Sequence, residues 1–174
     1  NAAMMAAGMA PKNIYAYGFS RYHHIGGQGA TMPLALFMLR AKSKKYRVLG
    51  KATLVASIFN INEPLQYGAV VGNPFMLIPT VMIAIILPAF SYLWFVMGWG
   101  TINYVNFDMN FAPNAVSAFF MSGGDFRNVI LVCINFVIAA LIWYPFFKAA
   151  DKAEVRKEEE RAAAKAAKLG AAQA

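Results

Sequence analysis

Residues 64–107 contain no Asp, Glu, Lys or Arg, and neither do residues 52–62, so the lone carboxylate of Glu63 stands between two uncharged runs. The longer run exceeds the roughly 20 apolar residues that cross a bilayer as a helix. A carboxylate at such depth is costly unless it is paired, hydrated or given over to a ligand. The surrounding string Phe59-Asn60-Ile61-Asn62-Glu63-Pro64 adds two carboxamides and a proline to an otherwise hydrocarbon-soluble stretch. Glu63 is therefore the first candidate functional residue, and the chain reads as an all-α membrane protein.

Composition agrees. With 59% hydrophobic and 14% charged residues, the chain has too little charge to cover a water-soluble surface. The net charge of +8 does not point to nucleic acid, because the basic residues are not interleaved with aromatics along one face. Six of the sixteen fall between Arg40 and Lys51, and seven follow Phe147. Basic clusters flanking apolar spans are the pattern of cytoplasmic loops, so the expected partner is a lipid bilayer. Cys133, the single cysteine, allows no intramolecular disulfide, and its apolar setting reads as that of a small buried hydrophobe. Neither a Gly-rich phosphate loop nor a metal-ligand spacing is present, so no metal or cofactor is expected. The chain begins with Asn1, has no secretory leader pattern, and reads as an excerpt from a longer protein.

Along the chain, Asn1 to Gly8 reads as a helix end with Gly8 as its stop. Tyr22 to Leu39 is eighteen residues bracketed by Arg21 and Arg40, about 27 Å if helical, which just spans a bilayer. Gly26, Gly27 and Gly29 predict an irregular or broken entry to it. Arg40 to Lys51 reads as a polar loop. Ala52 to Asn62 is too short to cross and predicts a re-entrant segment, stopped by Pro64, with Glu63 at its broken tip. Asn73-Pro74 marks a turn before the span Phe75 to Gly98, which Pro79 and Pro88 kink and which Tyr92, Trp94 and Trp99 anchor at an interface. Asp108 to Arg127, interrupted by Asn110, Pro113, Asn114, Gly123, Gly124 and Asp125, predicts a second non-crossing segment in which Asp125 and Arg127 pair locally. Asn128 to Phe147 is a second span. Lys148 to Ala174 is charged, alanine-rich and predicts a solvated helical tail. Two crossings between the basic loop and the basic tail keep both in the cytoplasm.

At this point the strings Ile25-Gly26-Gly27-Gln28-Gly29-Ala30-Thr31, Phe59-Asn60-Ile61-Asn62-Glu63-Pro64, Gly72-Asn73-Pro74, Gly123-Gly124-Asp125-Phe126-Arg127 and Tyr144-Pro145-Phe146-Phe147-Lys148 carry a resemblance. In this order they are similar to the enzyme IIC permeases of the sugar phosphotransferase system, in the lactose, cellobiose and chitobiose branch, over about residues 1–152. The resemblance implies a multi-pass protein of the bacterial inner membrane. It would import a β-linked disaccharide that a partner enzyme IIB phosphorylates from the cytoplasmic side. It implies transmembrane helices with re-entrant hairpins, part of an elevator-type transport domain, and a homodimer made through an amino-terminal half not contained in this sequence. Residues 1–147 would be the carboxy-terminal part of the membrane domain and 148–174 its cytoplasmic tail. His23 and His24 directly precede the glycine-rich string and do not match the family's upstream sugar-contacting histidine. No residue here is expected to carry the phosphoryl group.

For a neutral substrate covered with hydroxyls, carboxylate and carboxamide groups supply the needed acceptors and donors. The candidate substrate-binding residues are Glu63 as charged acceptor, Asn60 and Asn62 as orienting or donating groups, and Gly27 and Gly29 as points of close backbone approach. For Asn60 and Asn62 the alternative is capping of a helix break, and for the glycines it is close packing against a neighbouring helix. For Glu63 it is a structural pairing with Arg127 or with a backbone donor. Two other functional readings remain open: an ion-coupled carrier in which Glu63 moves a proton, and a permease fragment without activity of its own.

Overall fold

The computed structural model describes residues 1–107 and 111–171, and their side chains through Leu169. Asp108 and Asn110, read above as breaks in hydrophobicity, lie outside the described residues. Regular structure among the described residues is helical, without strands: α1 (Ala2–Ala6), a 3₁₀ turn (Phe19–Tyr22), α2 (Met32–Leu39), α3 (Lys44–Ile58), α4 (Glu63–Leu65) widening into a π turn (Gln66–Val70), α5 (Pro74–Val96), α6 (Asn114–Met121) and α7 (Phe126–Ala171).

Only the last eight residues of Tyr22 to Leu39 form a helix, so this run does not span as one. Its entry is irregular, with left-handed backbone at Gly26, Gly27, Gly29 and Ala30. The basic stretch is also not a loop throughout. Ser43 caps α3 by accepting from the Tyr46 N–H at 3.2 Å, and the helix begins at Lys44. Gly50 lets α3 close on α2, since a Cβ there would lie 2.6 Å from Met38 Cβ.

α3 ends at Ile58 and the chain breaks across Phe59–Asn62, with Asn60 at φ +62. Pro64 does not terminate a helix here. It sits in the first turn of α4, where its missing N–H removes no intrahelical bond. The chain then doubles back along α3: Leu49 lies against Gly68, and Asn73 Nδ2 donates to the Tyr46 hydroxyl at 3.2 Å. The break is thus the tip of a helical hairpin whose open end is near the basic turn.

α5 is 23 residues with Pro79 and Pro88 inside it, about 35 Å long, capped by Asn73. α6, at eight residues, is too short to cross a bilayer. The apolar run 128–147 and the charged run that follows are a single helix of 46 residues, about 69 Å. α7 packs on α5, α2 and α6. Tyr22, Leu34, Met38, Ile83, Leu87 and Trp143 are among the side chains sealed between these elements. Outward faces remain apolar, with Val81 and Ile85 on α5 and Ile130, Val137 and Leu141 on α7 exposed. Cys133 belongs to that outward face and is exposed, not buried. An apolar run that presents hydrocarbon on all sides does not tell by itself which side packs inward.

The charged part of α7 is not fully solvated. Asp151 accepts the N–H groups of Lys42 and Ser43, both at 2.9 Å. Glu158 accepts the Ser43 hydroxyl at 2.8 Å and the N–H groups of Lys45 and Lys44 at 3.0 and 3.1 Å. Two carboxylates from a distant helix thus satisfy the start of α3, where unpaired N–H groups and the helix dipole favour negative charge. Those donors hold the Glu158 carboxyl below its ordinary range.

Candidate functional site

Residues 23–30 are irregular backbone packed among apolar helices, and every peptide group there needs a partner. Side chains of α6 and α7 supply several. Asn114 Nδ2 donates to the Arg21 and His24 carbonyls at 2.6 and 3.2 Å. Asn135 Nδ2 donates to the Tyr22 carbonyl at 2.9 Å and to Ser91 Oγ at 2.8 Å. Trp143 Nε1 donates to the carbonyls of Gly29 and Ala30 at 3.1 Å. Asn128 Nδ2 reaches the Tyr22 hydroxyl, which also bonds Asn103 Oδ1. Asn128 and Asn135 lie seven apart on one face of α7, a spacing visible in the sequence but hidden inside what reads as a plain span.

The glycine-rich segment so held meets the tip of the α3–α4 hairpin. Asn60 Oδ1 accepts the Gly26 N–H at 3.1 Å, and its Nδ2 donates to the Ala112 carbonyl at 2.8 Å. Asn62 Nδ2 donates to the Gln28 carbonyl at 2.7 Å and to Thr31 Oγ1 at 3.1 Å. Gln66, not singled out from the sequence, donates to the same Gln28 carbonyl at 2.9 Å. Gly27 has φ +94, and a Cβ there would lie 2.4 Å from Asn62 Cγ. Both Asn60 and Asn62 therefore clamp one irregular segment to another.

Beside this clamp opens a cavity of about 630 Å³, lined by Gly27, Gln28, Asn60, Asn62, Glu63 and Gln66, with Arg21, His24, Tyr67 and Thr80 among its other walls. Its size falls within the roughly 300–1,000 Å³ of small-molecule sites. The Glu63 side chain is exposed at this wall. It has no ion pair with Arg127, whose guanidinium holds Asp125 at 2.9 Å. That contact, with Thr101 donating to the same carboxylate, keeps the Asp125 carboxyl well below its usual range. Gly29 lies behind the wall, its carbonyl on Trp143 and its α-carbon facing Thr80. Four of the five residues picked from the sequence thus line one cavity, and Gly29 supports it. His24 lines the cavity too, whereas His23 is buried against Phe19.

Residues 1–84 match the family described as Phosphotransferase system, EIIC. The chain is 32% identical over 157 residues to the lichenan permease IIC component of Bacillus subtilis (strain 168), covering 86% of this chain and 34% of that protein. It is 34% identical over 154 residues to the cellobiose-specific EIIC component of Geobacillus stearothermophilus, covering 81% and 32%. Its fold is similar to the crystal structure of the transporter ChbC, the IIC component of the N,N'-diacetylchitobiose-specific phosphotransferase system. The TM-score is 0.86 at 32% identity, over 91% of this chain and 38% of that one. Helical fold and matching sequences together identify part of an EIIC component of the phosphotransferase system. The chain belongs to the EIIC family, in the branch that contains these cellobiose, lichenan and chitobiose proteins. It spans about a third of the length of the relatives it matches. An ion-coupled carrier is not favoured by these likenesses.

Proposed function

We propose that this chain forms the sugar-binding part of a phosphotransferase-system permease in a bacterial inner membrane, and that the cavity beside Glu63 takes a β-linked disaccharide of the cellobiose, chitobiose or lactose type. The observation that carries this reading is the exposed Glu63 carboxylate, without an ion pair among the described residues, on a cavity whose walls also hold the carboxamides Gln28, Asn60, Asn62 and Gln66. Glu63 accepts from sugar hydroxyls, and the amide groups of Gln66 and Gln28, with Arg21, His24 and Thr80, add further polar groups to the same wall. Asn60, Asn62, Gly27 and Gly29 give that surface its shape, since the asparagines already hold backbone groups. Bound sugar is handed to a partner enzyme IIB that carries the phosphoryl group.

In this reading α5 and the apolar part of α7 cross the bilayer, each having most of its apolar surface outside the chain's own core. The hairpin of α3 and α4 is re-entrant, with its tip at sugar depth and its basic end, like the tail of α7, in the cytoplasm. The remaining two thirds of a full-length relative would supply a scaffold and a homodimer contact, and the part described here would move against it in an elevator-type cycle.

The test is equilibrium binding of radiolabelled cellobiose or chitobiose to the purified full-length protein that contains this segment. Glu63→Gln keeps the shape but removes a charge-assisted acceptor worth roughly 1.5–3 kcal/mol, so affinity should fall on the order of tenfold to a hundredfold. Wild-type affinity in a well-folded Glu63→Gln protein would remove this carboxylate from the site.

A further inference from the structure

A second cavity, about 560 Å³, lies between α2 and α7, remote from Glu63 in the sequence and sharing no lining residue with the first. Leu36, Phe37, Leu39, Tyr144 and Phe147 form its apolar walls, and Arg40, Lys42 and Lys148 bring three cations to it. Both helices change character at the same level. α2 ends at Leu39 and Arg40 follows, while on α7 the uncharged run ends at Phe147 and Lys148 follows. The acid at this groove, Asp151, already accepts two backbone N–H groups and is 8% exposed. None of the three cations has a salt bridge within 4.0 Å among the described residues, and Lys148 lies over the Tyr144 ring at 5.7 Å.

A groove that is hydrocarbon along its length and cationic at one end matches an amphiphile with an anionic head. Clusters of basic residues at the cytoplasmic boundary of membrane helices recognise such headgroups. We propose that this groove is a binding site for an anionic phospholipid of the cytoplasmic leaflet. The phosphate sits among Arg40, Lys42 and Lys148, and an acyl chain runs along Leu36, Phe37 and Tyr144. The proposal rests on the membrane embedding described above and not on sugar binding. It also gives the three cations a role at a place where the nearest carboxylate is occupied by the turn preceding α3.

The experiment is native mass spectrometry of the chain extracted from membranes and exchanged into nanodiscs holding equal amounts of phosphatidylglycerol and phosphatidylcholine. Phosphatidylglycerol should be retained selectively after collisional release. Arg40→Ala/Lys42→Ala/Lys148→Ala should lower that retention on the order of a hundredfold or more, as three lost headgroup contacts imply. Removing three cations further along the tail, Lys157→Ala/Arg161→Ala/Lys165→Ala, should change it less than about threefold. Leu36→Trp keeps every charge but fills the groove, and should also release the lipid; it decides the matter alone if the triple variant does not fold. Equal retention of the two lipids, or an equal loss from either triple variant, overturns the site. So does displacement by soluble glycerol 3-phosphate, which marks a plain anion site. Recovery of the chain from the soluble fraction would overturn the membrane reading itself, whereas a membrane-embedded chain without lipid selectivity overturns only this proposal.

Discussion

Replacing Gly27 by alanine tests the clamp between the glycine-rich segment and the α3–α4 tip. At φ +94 an alanine sits in the left-handed region, which costs an L-residue about 1–2 kcal/mol. Its Cβ would also lie 2.4 Å from Asn62 Cγ and 2.6 Å from Oδ1. Asn62 is 7% exposed and cannot withdraw without releasing the Gln28 carbonyl and Thr31 Oγ1. Two hydrogen bonds at about 1 kcal/mol net each bring the total to roughly 3–4 kcal/mol. For a chain of this size that predicts a fall in Tm of about 6–16 °C. The assay is thermal unfolding in detergent, with Gly72→Ala as reference, because a Cβ at Gly72 meets nothing within 4 Å. The coupling is the sharper readout. In an Asn62→Ala background the clash is gone and only the backbone penalty remains, so the double variant should cost about 2 kcal/mol less than the sum of the single ones, the two hydrogen bonds being lost once and not twice. Strict additivity, or a Gly27→Ala protein as stable as Gly72→Ala, would refute the close packing inferred for this junction.

Two further outcomes are expected. The Glu158 carboxyl is held below its ordinary value of 4.5 by donors from Ser43, Lys44 and Lys45. Its contribution is therefore present above that value and is lost as pH falls through the lower folded-state value. Amide exchange at Lys44 and Lys45, normalised to intrinsic rates, should lose protection in that acid window, and Glu158→Gln should abolish the pH dependence. Cysteines placed at Lys44 and Lys165 in a Cys133→Ser background should both resist an impermeant thiol reagent added outside intact cells; labelling of either would break the proposed two-crossing topology.

Much of this was legible beforehand. The long apolar helix α5, the break at Phe59–Asn62, the shortness of α6 and the Asp125–Arg127 pair follow from length, proline, glycine and charge, which act locally. The cavity wall was legible because a carboxylate and two carboxamides in a hydrocarbon run admit few explanations. What escaped depends on which face turns inward. Asn135 and Trp143 hold irregular backbone more than a hundred residues away in sequence, and Cys133 faces outward although its neighbours are as apolar as any in the core. Asp151 and Glu158 look like ordinary tail charges until the fold brings the start of α3 against them. Pro64 was misread because its effect depends on side: it blocks a helix behind it and favours one beginning at it.

The continuity of α7 makes it a ruler as well as a wall. Trp143 fixes one mark, at the Gly29 and Ala30 carbonyls, and Asp151 fixes a second, eight residues on, at the turn before α3. On a helix these marks stand about 12 Å apart, and a single inserted residue turns everything beyond it by about 100°. An indel between Trp143 and Glu158 would therefore unhook either the cavity's backing or the capping of α3, even if every substituted residue were itself a good helix former. Beyond Glu158 no hydrogen bond to the rest of the chain constrains the register among the described residues, and there length is free to vary.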